Sequence, residues 1–440
     1  MPDIRPFRAL RYDSATIGDP ALVVAPPYDV IGPAEQERLL ERHRANVVRL
    51  DLPREEPGDD PDDRYRRAAR TLAGWRSDGT LHKDPHPSIY VYEQVYRVPG
   101  SDVVRTQRGF FARLRLEAFG PGSSVLPHER TLPGPREDRY KLLRATGVNS
   151  SPIVTLYDDP DDAGGPVLDE LTARPTDLDV VDDDGVRHRL WAVPADGDAA
   201  AVVSPLLAAA AAGPVSLADG HHRYETALRY QGERRMSRSC EEDPAFDYVL
   251  ALFSDATTQP LTILPTHRLL RGLGDDGVSR LLGRLDEFFE VGRDASEASL
   301  RERFEAAGLA SGGEGRFALW TRAGGVLLTA RREMFEPHLP EGGTALRELD
   351  VTLLGIVLEH LAGIDADAVA AGAVAYTKSA AEAIGSVDAG LDAPDAAFLL
   401  EPTPVESVLA VAAAGDLMPQ KSTYFYPKAL TGLVINPHEW

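Results

Sequence analysis

The sequence predicts a mixed α/β protein, α/β or α+β in organisation, built as several lobes with mixed sheets. Three observations point there. Alternating, β-rich stretches such as Ser88–Val98 are interleaved with stretches of helical spacing. The order strand, strand, helix, strand, helix runs through the middle of the chain. With 440 residues, the chain is long enough for two or three domains.

In chain order, "VVAPPYDVI" is an apolar run broken by Pro26 and Pro27, and Gly32–Pro33 opens a helix. Tyr65, Ala68, Ala69, Leu72 and Trp75 recur at helical spacing, and Gly79 closes that helix. "SIYVYEQVYRV" and "TQRGFFARLRLEAF" flank "PGSD" as a β-hairpin. "DDPDDAGG", Asp158–Gly165, reads as a linker. "LDVV" and "VRHRLWAV" form a second hairpin around "DDDG", and an alanine-rich helix follows. "PVSLA" is a short strand leading into the helical "DGHHRYETALRY". "DYVLALFSD" and "LTILPTHRLL" read as buried strands. After Arg271 the pattern restarts, with an amphipathic helix "VSRLLGRLDEFFEV", a hairpin around Gly324–Gly325, the helix "LDVTLLGIVLEHLAGI" and a closing stretch "MPQKSTYFYPKALTGLVI". The expected division is an N-terminal α/β domain over 1–157, a central domain over 166–271 and a C-terminal α/β domain over 272–440.

Hydrophobic residues make up 43% of the chain, enough for ordinary cores. The formal net charge is -22, which argues against passive binding to nucleic acid or anionic membrane, since both require attraction to phosphate. The one cysteine, Cys240, permits no internal disulfide and has no catalytic context. The N-terminus "MPDIRPFRAL" lacks the apolar core of a signal peptide, and no run approaches the roughly 18 apolar residues of a membrane span. A cytoplasmic location is expected. The oligomeric state is not legible.

Three polar constellations carry the chemistry. In Asp219-Gly220-His221-His222-Arg223, a strand passes directly into a helix, whose unpaired N–H groups and dipole favour an anion. Gly220 admits close backbone approach. Arg223 can grip phosphate through two parallel hydrogen bonds, and His221 and His222 add donors. Asp219 suits a base towards a hydroxyl, or a carboxylate for Mg²⁺. The residues alone equally allow a helix cap at Asp219 with two surface histidines. The second constellation, "LPHERTLPGPREDRYKLLRATGVNSSPI", holds His128, Glu129, Arg130, Thr131, Asp138 and Arg139, a base and a phosphate clamp or else an ordinary helix start and its ion pair. The third gathers Lys421, Ser422, Thr423 and Lys428, cationic and hydroxylic groups without the glycines of a P-loop. A strand edge with surface lysines accounts for it equally. Metal sites are weak: the histidines lack HExxH spacing, one cysteine excludes a structural zinc, and only a Mg²⁺ held largely by substrate phosphates fits.

"PPYDVI", "HERT" with "DRYKLL", "ADGHHRYETAL", "ILPTHRLL" and "MPQKSTYFYPKALTGL" resemble the signature stretches of a bacterial and archaeal family known as domain of unknown function 1015, often labelled ParB-like. The likeness runs from about Ile4 to Ile435. The "DGHHR" turn also resembles the ParB and sulfiredoxin superfamily, which implies a ParB/sulfiredoxin-like central domain that binds nucleotide phosphates at a helix start. Within that superfamily the free-serine kinases are most similar, and their likeness implies a catalytic aspartate at Asp219. The expectation is then a phosphoryl-transfer enzyme, kinase or phosphatase, acting on a small hydroxylated metabolite, with serine or phosphoserine favoured. Asp219, Glu129 and His128 would serve catalysis. Gly220, His221, His222, Arg223, Arg139, Lys421, Ser422, Thr423 and Lys428 would hold a nucleotide or pyrophosphate donor with Mg²⁺. The alternative is a non-enzymatic, nucleotide-binding regulator or adaptor.

Overall fold

A computed structural model describes residues 1–129, 131, 133–237, 242–305, 314–390 and 393–440. Arg130 and Cys240, singled out above, lie outside the described residues.

The first sheet has nine strands: Ile4–Arg5 (β1), Ser88–Arg97 (β2), Val104–Arg115 (β3), Val125–Leu126 (β4), Ile153–Tyr157 (β5), Leu178–Val181 (β6), Arg187–Pro194 (β7), Val215–Asp219 (β8) and Tyr248–Asp255 (β9). Their order is β4-β8-β5-β9-β3-β2-β7-β6, with β1 beside the end of β3. The pairs β8–β4 and β9–β5 are parallel and the others antiparallel, so the sheet is mixed. Strands from 1–157 and from 166–271 share this sheet. The "DDPDDAGG" stretch is a tight turn between them, in which buried Asp159 accepts from the amides of Ala163 at 3.0 Å and Gly164 at 2.7 Å.

Side chains alternate across the sheet, as the pleat requires. Ile89, Val91, Phe110, Ala251 and Phe253 face one core. That core is covered by the helices Pro133–Thr146 (α1), Gly165–Thr172 (α2), Ala200–Ala210 (α3) and His221–Ser237 (α4). Tyr90, Tyr92, Phe111, Leu250 and Leu252 face a second core closed by Leu430, Leu433 and Val434 from the C-terminal segment. Burial on both faces explains why β9 reads as a nearly continuous apolar run.

The second sheet is wholly antiparallel: His267–Leu270 (β10), Phe289–Ala295 (β11), Arg316–Thr321 (β12), Gly324–Ala330 (β13), Val374–Thr377 (β14) and Ala396–Leu400 (β15), in the order β11-β13-β12-β15-β10-β14. Asp350–His360 (α5) packs on one face through Leu353, Leu354 and Val357, and Ala380–Asp388 (α6) on the other through Ala383, Ile384 and Val387. The fold class is therefore mixed α/β with mixed and antiparallel sheets. One element differs from its sequence pattern. The helix beginning at Gly274 stops at Arg284, and the "FFEV" that completed its periodicity turns into β11, where Phe289 packs in the sheet core opposite Ala330. Sheet pairing overrode a local helical period.

The C-terminal segment then returns to the first sheet. Thr431 bridges Ala25, Ile435 bridges Leu10, and buried Arg113 donates to Asn436 Oδ1 at 2.7 Å and Pro437 O at 2.6 Å. This return carries residues 421–428 to the C-terminal end of β8. Among the described residues no helix is long and apolar enough to cross a membrane.

Candidate functional site

The turn after β8 is built around Gly220, at φ +89°. A Cβ there would meet Ile153 Cγ2 at 3.0 Å and Arg223 Nε at 3.1 Å, so only glycine lets the strand pass into α4 this tightly. Tyr224 fixes the helix: it is fully buried, and its hydroxyl accepts from the Glu117 amide at 2.9 Å and donates to the Glu117 carbonyl at 2.8 Å. Asp219 is then held between two cations. Its Oδ2 accepts from Arg223 Nη2 at 2.6 Å and its Oδ1 from Lys428 Nζ at 2.9 Å, while Arg223 Nη1 donates to the Pro152 carbonyl. The three side chains keep only 17%, 11% and 12% of their exposure. Burial would push the Asp219 carboxyl up, but the Lys428 ammonium and the Arg223 guanidinium prevail and hold it well below the usual carboxylate range.

His128, just beyond β4, is fully buried. Its Nδ1 lies 2.6 Å from the Leu217 carbonyl, which can only accept, so that nitrogen carries the proton. Burial pushes its pKa down to about 4, so the ring is neutral and Nε2 accepts from the Thr423 hydroxyl at 3.1 Å. The His128 amide donates to His221 Nε2 at 3.3 Å, and the two rings meet edge to face at 4.6 Å. Burial and the neighbouring His128 keep His221 neutral as well. Glu129 follows in a parallel bridge with Met418. Burial raises its carboxyl to about 7 against the opposing pull of the Lys421 amide and ammonium.

The loop from Lys421 to Lys428 forms the facing wall. Lys421 is exposed and stands at φ +56°. Ser422 turns its hydroxyl back to the Pro419 carbonyl, closing the turn. Tyr424 lies between two ammonium groups, Lys378 Nζ at 4.3 Å and Lys428 Nζ at 4.4 Å from its ring centre. Exposed Asp29 acts electrostatically on Arg223, His222, Lys378 and Tyr424. Beside these groups opens a cavity of about 410 Å³, walled by Val24, Pro26, Lys378, Tyr424, Tyr426 and Lys428.

Asp219, Gly220, His221, Arg223, His128, Thr423, Glu129, Lys421 and Lys428 thus come together from three distant segments. His222 is partly buried in the field of Glu225 and Lys421, with burial pulling its pKa down. Arg139 is engaged elsewhere: it stacks on the Tyr28 ring at 3.9 Å and donates twice to Asp138 Oδ2, at 2.8 and 2.6 Å, and to the Asp51 carbonyl. It shares a small cleft with Arg223, Tyr28 and Ser151. Sequence reasoning missed Asp29, Lys378 and Tyr424. Asp29 and Tyr424 lie within stretches already singled out, whereas Lys378 sits in no recognisable pattern. Among the described residues no cluster of three or more His, Cys, Asp or Glu forms a metal site.

The family model described as "Protein of unknown function (DUF1015)" matches residues 4–352, most of the chain. The chain belongs to the DUF1015 family. The DUF1015 match takes in the Asp219 turn and His128–Glu129 and ends before the Lys421–Lys428 loop. No curated protein matches the sequence. Similar solved structures include a conserved hypothetical protein from Pyrococcus furiosus, 16% identical over 69% of this chain and 87% of that one, with a TM-score of 0.34. A free serine kinase in complex with AMP is 15% identical over 69% of this chain and 83% of its own, with a TM-score of 0.36. A mutant free serine kinase with ADP is 15% identical over 75% and 90%, with a TM-score of 0.37. The ParB and sulfiredoxin side of the resemblance finds no support in the DUF1015 match or in these structures.

Proposed function

We propose that this chain is a phosphotransferase that moves a phosphoryl group between a nucleotide and the hydroxyl of a small metabolite, serine or phosphoserine first among them. The observation that carries the reading is the convergence of Arg223, Lys378, Lys421 and Lys428 in one cluster with Glu129, raised to about 7, with Lys378 and Lys428 reaching the adjoining cavity. Phosphoryl transfer asks mainly for positioning and charge neutralisation, and these cations supply both to a phosphate chain lying over the Gly220 turn. Glu129 is the base: it takes the hydroxyl proton as the hydroxyl oxygen bonds to phosphorus, while the donor's bridging P–O bond breaks and the departing phosphate oxygen keeps the electron pair. Asp219, held ionised between Arg223 and Lys428, orients them. His128 holds the Thr423 hydroxyl and so fixes the start of the Lys421–Lys428 loop.

The cavity favours a nucleotide over pyrophosphate as donor. At about 410 Å³ it has the size of an organic-ligand pocket, and its wall sets Val24, Pro26 and two tyrosines beside charged groups of both signs, Lys378 and Lys428 against Glu35 and Asp182–Asp184. Mg²⁺ arriving with the donor would neutralise phosphate oxygens. Asp219 is committed to two cations, so exposed Asp29 is the carboxylate suited to hold it.

A thermal-shift screen with ATP, ADP, pyrophosphate, serine and phosphoserine tests binding. A shift is expected with a nucleotide, and its absence with every phosphate compound overturns the reading. In a coupled assay with the responding pair, Glu129→Gln is expected to lower turnover by about 10²–10⁴-fold while nucleotide affinity persists. A nucleotide response without turnover in the wild type favours the regulator instead.

A further inference from the structure

The "ILPTHRLL" stretch has no part in the proposed reaction, yet it sends a buried arginine to the rim of the site. Arg268, on β10, is 5% exposed. A guanidinium so buried ordinarily faces a carboxylate. Arg268 instead donates Nη1 to the Thr266 carbonyl and Nη2 to the Lys421 carbonyl at 3.1 Å, with its guanidinium 5.1 Å from the Tyr376 ring centre. Burial pulls its pKa down to about 10, opposed by Tyr376 and Glu129. Lys421, whose carbonyl it holds, stands in the left-handed region, which a residue with a side chain adopts only when its surroundings compel it. The amide and ammonium of that same residue draw on the Glu129 carboxyl and oppose the effect of its burial.

We infer that Arg268 is a positioning residue of this site: by gripping the Lys421 carbonyl it fixes the left-handed backbone of Lys421, whose amide and ammonium draw on the Glu129 carboxylate, and it stands behind both as a buried positive charge. The functional meaning of the inference rests on Glu129 acting as the base, but the geometry does not. Among the described residues, the charged and titratable groups that act on Glu129 include Asp219, Lys421, Lys428, Arg268 and Tyr376. Loss of Arg268 frees the Lys421 backbone to relax, weakens the pull of its amide and ammonium on the carboxylate and favours the protonated form.

The test is a titration of the Glu129 side-chain carbon in full-length protein labelled with carboxyl-¹³C glutamate, assigned by the signal lost in Glu129→Gln. Arg268→Met is expected to raise the Glu129 midpoint by about one pH unit. In a Lys421→Gly background, where glycine adopts positive φ without strain, the same substitution is expected to raise it by less than half as much. Arg268→Lys keeps the charge with a single donor group, and it replaces Arg268→Met if that variant does not fold; its expected rise is about half a unit. An unchanged midpoint overturns the inference, and so does an equal rise in both backgrounds, which leaves only a distant charge effect. The titration needs no substrate. A shifted midpoint in a protein without phosphotransfer therefore defeats the proposed reaction alone, and turnover with an unmoved midpoint defeats the role of Arg268 alone.

Discussion

The turn that begins at Asp219 and the strip at Glu129 stand within each other's field, and each carries one carboxylate, but they treat it in opposite ways. Asp219 sits at the end of a central strand with Arg223 one helical turn on and Lys428 across the gap, and its charge is satisfied twice. Glu129 lies in an irregular segment bridged to Met418, where burial outweighs the Lys421 amide and ammonium. Carboxylates whose surroundings drive their pKa values apart take different roles. The pairing makes Asp219 a fixed negative charge that orients cations, and burial makes Glu129 a group able to exchange a proton near neutral pH.

Substitutions at the two positions should therefore move stability in opposite directions. Asp219→Ala strands Arg223 and Lys428 in a buried setting and is expected to cost about 3–5 kcal/mol by urea denaturation. A loss under 1 kcal/mol would mean that the two cations find other partners and that the contrast is overstated. Gly220→Ala, strained by its positive φ and by Ile153, is expected to cost about 1–3 kcal/mol and to weaken phosphate-compound binding with it.

Glu129→Gln should stabilise above about pH 4.3, with a gain that grows up to about neutrality. Folding raises this carboxyl from an ordinary value of about 4.3 to about 7. The folded state thus holds a proton the unfolded chain has lost, and that contribution, complete below about pH 4.3, is lost as the pH rises through 7. Glutamine has no such loss, so the variant should gain at most on the order of 3 kcal/mol over wild type at pH 8 and nothing at pH 4. Melting curves at both pH values check the sign. The buried neutral histidines act the other way. His128, lowered to about 4, and His267 and His438, each lowered to about 3, favour the folded state above the unfolded value of about 6.5, and that stability is lost as the pH falls below it. The smallest effect is expected of Tyr424→Leu, which removes the ring between Lys378 and Lys428. Calorimetry should give about two- to five-fold weaker nucleotide binding with the melting temperature nearly unchanged.

Much of the fold was legible because strand alternation is local. Ser88–Arg97 pairs with Val104–Arg115, and Leu178–Val181 with Arg187–Pro194, as their patterns and intervening turns predict. The strand-to-helix turn at Asp219 was equally plain. Phe289 was misread as helical because its burial is imposed by a partner strand about forty residues away. Arg139 looked like a phosphate clamp because its neighbours in the chain are polar, but Tyr28 and Asp51, remote in sequence, engage it. Lys378 gave no signal, since one lysine in an unremarkable stretch acquires meaning only beside Tyr424.

By itself the sequence determined which residues end strands, where a glycine lets the backbone approach closely, and that a strongly acidic chain sets a few cations near histidines and hydroxyls. The tertiary structure decided which carboxylate is held ionised and which is pushed towards neutrality. Protonation depends on charges and burial in space, and the ammonium that fixes Asp219 comes from Lys428, 209 positions along the chain.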